Sequence, residues 1–199
     1  MSVGKMNNNP LQEGRSDETF SRAFRLNKTA LDALHQEAKK RSVTINTIVN
    51  ELVMKHIMVD RILEKYHPVT ITSAVLKLFT EGLSEDRIIE IAEETANDVF
   101  LKNFPAEATG DDSTAGILQT LKDFPLVGGE YEYSEDEYGG KKIVILVHDV
   151  GKNWSLFIAT YWKNLLSQKG LDVKISATEK AAVLQFRQSD INAVNHPAS

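Results

Sequence analysis

The chain has 199 residues, 42% of them hydrophobic and 26% charged, with a net charge of −5 and no cysteine. That composition excludes a disordered chain and leaves room for one or two packed domains, while the missing thiols exclude disulfides, thiolate zinc sites and cysteine nucleophiles. No apolar run reaches the length of a membrane span, and the polar start MSVGKMNNNPLQEGRSD lacks the apolar centre of a signal peptide, so the expected location is cytoplasmic.

Residues 1–17 read as a flexible arm, with Asn7, Asn8, Asn9, Pro10 and Gly14 and no periodicity. TFSRAFRL, residues 19–26, then alternates as a short β-strand. Phe20, Arg22, Phe24 and Leu26 fall on one side, and Thr19, Ser21, Ala23 and Arg25 on the other. Asn27 is placed to cap a first helix in which Leu31, Leu34 and Ala38 recur at helical spacing up to the basic end Lys39, Lys40, Arg41. Thr44 caps the next helix, with Ile45, Ile48, Val49, Leu52, Val53 and Ile57 on one broad face, running on through Ile62 and Leu63 until Pro68 stops it. Charge divides at the same proline: residues 1–67 carry 11 basic and 8 acidic side chains, a balance of +3, and the remainder carries −8.

Beyond Pro68 the pattern predicts helices over about 72–81 and, capped by Ser84, over about 85–103, then a loop from Pro105 to Thr114. Ile117, Leu118, Leu121 and Phe124 mark another amphipathic stretch. GEYEY, an acidic turn SEDEYGG and KKIVILVHDVG read as a β-hairpin, followed by a helix ended by Gly170. Within that helix Trp154, Phe157, Ile158, Tyr161 and Leu165 form one apolar stripe and Ala159, Trp162 and Leu166 another, as in a helix sandwiched in a core or set in a subunit interface, with an aromatic ligand pocket as the third alternative. The strands LDVKISA and AAVLQF come last, with Glu179 and Lys180 at their turn, and residues 188–199 read as a flexible tail. The predicted fold class is α+β: residues 18–67 as one domain, and 69–187 as a mainly helical segment leading into a small domain with antiparallel strands.

A lone strand cannot satisfy its own backbone groups. Two copies of 19–26 paired antiparallel across a two-fold axis would satisfy each other, with Phe20, Phe24, Leu26, Leu31, Leu34, Ile48 and Leu52 as the shared dimer core. The opposite face would be a two-stranded ribbon narrow enough for the DNA major groove.

Strand, helix, tight turn and helix in this order and spacing, with the strand ending Arg25-Leu26 and TIN (residues 44–46) opening the second helix, resemble the ribbon-helix-helix DNA-binding family to which the Arc and methionine repressors belong. The resemblance covers about a fifth of the chain. It implies base contacts at Ser21, Ala23 and Arg25, and a phosphate held by backbone amides near Thr44, Ile45 and Asn46. Ala23 stands where family members place a polar side chain. The chemistry suits these roles: a guanidinium forks onto guanine O6 and N7, a hydroxyl takes either partner, and a methyl meets the thymine methyl. Lys28 and the cluster 39–41 would add phosphate contacts.

The densest polar feature of the second region is HDVGKNW, residues 148–154. Here His148, Asp149, Asn153 and Trp154 at a strand end and helix start are candidates for contacting an unknown small-molecule effector, against the plainer reading of an ordinary strand-to-helix turn. This region also resembles uncharacterised domains behind ribbon-helix-helix modules in archaeal regulators. No nucleophile elbow, P-loop, G-x-G-x-x-G or paired-His motif occurs, so no enzyme, cofactor or metal is expected. The resulting expectation is a homodimer or higher even oligomer that binds double-stranded DNA and regulates transcription, as a repressor, with no membrane partner. An antitoxin-type interaction protein and a low-specificity chromosome-organising protein are the alternatives.

Overall fold

The computed structural model describes residues 21–61, 64, 71–127 and 131–195. The chain is α+β: the described residues form eight α-helices and one four-stranded antiparallel sheet. It divides into two compact units, Met1–Met54 and Lys55–Ser199. Phe20 and Pro68 lie outside the described residues.

In the first unit, α1 spans Lys28–Arg41. Asn27 opens it by accepting the Ala30 N–H at 2.8 Å on its side-chain oxygen, relieving one of the amides that a helix start leaves unbonded. Ser42 closes it in the left-handed conformation (φ 53°), which turns the chain so that the Val43 N–H reaches the Ala38 carbonyl at 3.1 Å. Helix α2, Ile45–Lys55, is opened by Thr44, whose hydroxyl oxygen accepts the Thr47 N–H at 3.1 Å. Arg41 ties the two helices, bonding Glu37 on its own helix and Glu51 on α2 at 2.8 Å. The expected long second helix ends at Lys55; the chain continues as a π-helical turn over His56–Asp60, and Ile62 and Leu63 lie outside the described residues. Residues 21–27 have no ladder partner among the described residues and are not a strand in the single chain.

Beyond the π-helical turn the second unit carries α3, Ser73–Glu81, capped by Thr72, and α4, Glu85–Asn97, capped by Ser84 where the sequence places a cap. The helix expected to reach residue 103 instead breaks at Asp98, whose extended backbone (ψ 133°) leaves its side chain accepting the Leu101 N–H at the start of α5, Val99–Thr109. The predicted loop from Pro105 is corrected as well: α5 runs through Pro105, and α6, Thr114–Val127, runs through Pro125. A proline inside a helix strands the carbonyl four residues earlier. Both stranded carbonyls are taken by tyrosine hydroxyls, Leu101 by Tyr161 at 2.9 Å and Leu121 by Tyr131 at 3.2 Å.

The hairpin is longer than expected. Gly139 and Gly140 alone form the turn, with φ of 58° and 73°, the conformation that two-residue hairpin turns demand. The acidic SEDEY is therefore not a turn: it belongs to β1, Glu132–Tyr138, which pairs along its length with β2, Lys141–Val147. Helix α7, Lys152–Gln168, leads to β3, Lys174–Ala177, and β4, Ala181–Arg187, and the sheet order is β1-β2-β4-β3. One sheet face presents Val144, Leu146, Ala182, Leu184 and Phe186, all buried in a core with Ile117, Leu121, Ile158, Trp162, Leu165 and Leu166. Helix α7 is sandwiched between this face and α4, which explains its two apolar stripes. Residues 188–195, read from the sequence as tail, form α8, and its Ile191 joins the core.

Candidate functional site

The expected DNA-reading residues Ser21, Ala23 and Arg25 are all exposed in the stretch leading into α1, and Lys28, the first residue of α1, is exposed beside them. The expected dimer-core residues separate into two groups. Ile48 is buried and Leu34 half-buried, whereas Phe24 is 77% exposed, Leu52 55%, Leu26 50% and Leu31 39%. Among the described residues of the first unit only Ala38 and Ile48 are buried hydrophobics, and Val53 and Met54 are exposed as well. An amphipathic two-helix hairpin of this kind has its apolar face made but not covered.

At the start of α2 the amides of Ile45 and Asn46 have no acceptor among the described residues, since Thr44 serves Thr47 with its hydroxyl and Ile48 with its carbonyl. These N–H groups sit at the positive end of the helix dipole. Of the basic cluster 39–41, Arg41 is engaged: its hydrogen bonds to Glu51 and Glu37 raise its pKa further and direct the guanidinium into the helix pair. Lys39 and Lys40 remain exposed.

In the HDVGKNW turn, His148 and Asn153 bond to groups of the protein itself. His148 is buried, and its Nδ1 accepts the Val150 N–H at 3.1 Å. A neutral ring with Nδ1 so occupied carries its hydrogen on Nε2, which then donates to the Ser155 hydroxyl at 2.8 Å; Ser155 in turn donates to the Thr178 carbonyl at 2.6 Å. Burial holds the His148 pKa below its ordinary value, with Asp149 opposing in part. One imidazole thus ties the end of β2, the first turn of α7 and the β3–β4 connection. Asn153 donates to the carbonyls of Thr80 at 2.8 Å and Leu83 at 3.0 Å, closing the end of α3. Asp149 is exposed, and Trp154 stacks on Phe157 with ring centres 4.9 Å apart while its indole N–H is buried without a partner among the described residues. The polar groups of His148 and Asn153 are therefore engaged within the protein.

Sequence reasoning missed the partners Ser155, Thr178 and Thr80, which carry no signal of their own. It also missed a carboxylate hub on β1. Glu135 accepts from Tyr133 at 2.5 Å, Lys142 at 2.9 Å and Lys122 at 3.1 Å. The hydroxyl and the two ammonium groups hold its carboxyl down at about 2, and burial together with that carboxylate pushes the Tyr133 phenol up. Among the described residues no three His, Asp or Glu side chains gather as a metal site, and no helix is long and apolar enough to cross a membrane.

No protein-family model matches this chain, and no curated protein or solved structure is found to be similar to it.

Proposed function

We propose that the chain is a homodimeric, sequence-specific DNA-binding regulator, with residues 19–54 as a ribbon-helix-helix module and the second unit as its regulatory or oligomerisation body. The observation that carries this reading is the uncovered apolar surface of the first unit, where Phe24, Leu26, Leu31 and Leu52 are exposed and only Ala38 and Ile48 are buried among the described hydrophobic residues. A second copy supplies the missing half of that core and, at the same time, a backbone partner for 19–26. The ribbon so formed presents Ser21, Ala23 and Arg25 on its outer side, while the open amides of Ile45 and Asn46 suit a phosphate oxygen.

Selection of bound sequences from random duplexes, followed by titration of the selected site, tests this function. Wild-type protein should enrich a repeated half-site. Arg25→Ala should lose about 1 to 3 kcal/mol on that site and relax one base preference per half-site, because a bidentate guanine contact is removed. Recovery of unenriched duplexes, bound with equal affinity whatever their sequence, would favour a chromosome-organising protein instead. Absence of any duplex binding would overturn the reading.

A further inference from the structure

The four-stranded sheet has a second face. Opposed residues of antiparallel strands point to the same side. The register therefore lays out three rows on the face turned away from the core: Glu132, Val147 and Ala181; then Ser134, Ile145, Val183 and Ser176; then Asp136, Ile143, Gln185 and Lys174. None of these residues belongs to the core cluster or packs against it. Ile143, Ile145, Ala181 and Val183 are half-exposed, and Val147 is 40% exposed.

Strand β2 is apolar on both sides, since IVILV alternates between Val144 and Leu146 inward and Ile143, Ile145 and Val147 outward. An antiparallel strand with one solvated face alternates apolar with polar, whereas unbroken apolar runs belong to strands covered on both faces. The central strip of β2 and β4 thus has the composition of a buried face.

Its borders identify the cover. On β1 the outward charges are acidic, Glu132 and Asp136; on β3 the outward charge is Lys174. None of the three takes an ion-pair partner among the described residues. In the order β1-β2-β4-β3, a two-fold axis parallel to the strands and lying over the β2–β4 seam sets β1 of one copy against β3 of the other. Asp136 and Lys174 occupy the same row, so each would meet the other's counterpart, twice, around a shared apolar centre. Aligned packing of two sheets about 10 Å apart is an ordinary arrangement. The row beyond, Tyr138, Lys141 and Arg187, brings like charges together only at the rim, where solvent screens them.

We infer that this sheet face is a self-association surface, and that its occupant is the same face of a second copy. The inference rests on the proposed function only in that paired N-terminal modules would raise the local concentration of the two sheets.

Sedimentation equilibrium of the full-length chain separates the two claims. Phe24→Asp removes the ribbon contact; this variant should still associate at concentrations up to about 0.1 mM. Adding Ile145→Glu, an outward substitution that leaves the core untouched, should make it monomeric with an unchanged melting curve. Lys174→Glu in the Phe24→Asp chain should weaken association about tenfold, and Asp136→Lys should restore it. The double variant Asp136→Cys/Lys174→Cys should give covalent dimers with a short bismaleimide, which cannot span the two positions across one sheet, while each single variant gives few. A monomeric Phe24→Asp chain, or association indifferent to Ile145→Glu and to both charge reversals, would overturn the sheet-face dimer without touching the ribbon reading; a monomeric wild-type chain would overturn both.

Discussion

The two units of this chain reach their hydrophobic cores in opposite ways. In the second, the sheet face, α4 and α7 enclose Leu121, Leu146, Leu166 and Leu184, each with no exposed surface. Even its two interior prolines are accommodated by tyrosines from other elements. In the first, two capped helices and the stretch before them leave Phe24, Leu26, Leu31, Leu52, Val53 and Met54 exposed and bury only Ala38 and Ile48 among the described hydrophobic residues. Caps and turns set the path of a chain within a few residues, but burial fixes whether that path is stable, and a hairpin of two helices has too little inside to bury. The first unit leaves its large apolar side chains open, and the second encloses its own.

The sharpest way to break this contrast is Phe24→Asp. If two copies share one core around Phe24, a charge placed there leaves an uncompensated carboxylate and should abolish cooperative folding of residues 28–54, while the body melts as before. Circular dichroism with domain-resolved hydrogen exchange would read both parts; protection in α1 and α2 equal to wild type would show that the first unit needs no partner. The converse substitution, Leu184→Ala, removes a side chain with no exposure from the second core. It should cost about 2 to 5 kcal/mol of the body's stability and leave α1 and α2 unaffected. Loss of less than about 1 kcal/mol in a denaturant titration would mean that this core is loosely packed.

A smaller effect sharpens the account of the second unit. Tyr161→Phe deletes one hydroxyl and leaves the carbonyl stranded by Pro105 without its donor, which should cost about 1 to 3 kcal/mol. A Pro105→Ala background, in which the helix can bond its own carbonyl, should reduce that cost, and equal costs in both backgrounds would refute the compensation.

Much of this organisation is legible in the sequence, and what is not has a common cause. Asn27, Thr44 and Ser84 are read correctly as caps because the amide each one serves lies three residues away. The doubly apolar helix 154–166 is legible as one covered on two sides, in a core or in a subunit interface, because its pattern is local, and the fold places it in the core. Pro105 misleads because the hydroxyl that makes a helical proline tolerable comes from Tyr161, far along the chain. SEDEY misleads because an edge strand, solvated and held by Lys122 and Lys142 at Glu135, has the composition of a turn. The partners of His148 are not legible either: its two ring nitrogens meet the Val150 N–H and the Ser155 hydroxyl, and only the fold brings Ser155 alongside. Alternation places Ser21, Ala23 and Arg25 on one side of the expected strand, but their proposed role in reading DNA comes from the family resemblance, and the strand pairing it needs would involve a second chain that no single sequence displays.

The smallest expected effect concerns His148. Burial depresses its pKa, so as pH falls below the ordinary imidazole value of 6.5 the unfolded chain takes up a proton that the folded chain resists. Stability should therefore decline as pH falls from 6.5 toward the folded pKa, in addition to any carboxylate titration below about 5. His148→Gln should flatten the melting temperature across that interval at the cost of a lower value at pH 7. Parallel pH profiles for the two proteins would mean that His148 does not carry this dependence.

The proposed pairing of two N-terminal strands is open to direct observation in a mixture of isotope-labelled and unlabelled chains, using nuclear Overhauser contacts filtered to cross from one chain to the other. Two copies sharing one core predict intermolecular contacts from the Phe24 ring to Leu31 and Leu52 of the partner, and amide contacts between the two strands around Ala23. A spectrum of folded protein in which Phe24 and Leu26 meet only residues of their own chain would contradict it.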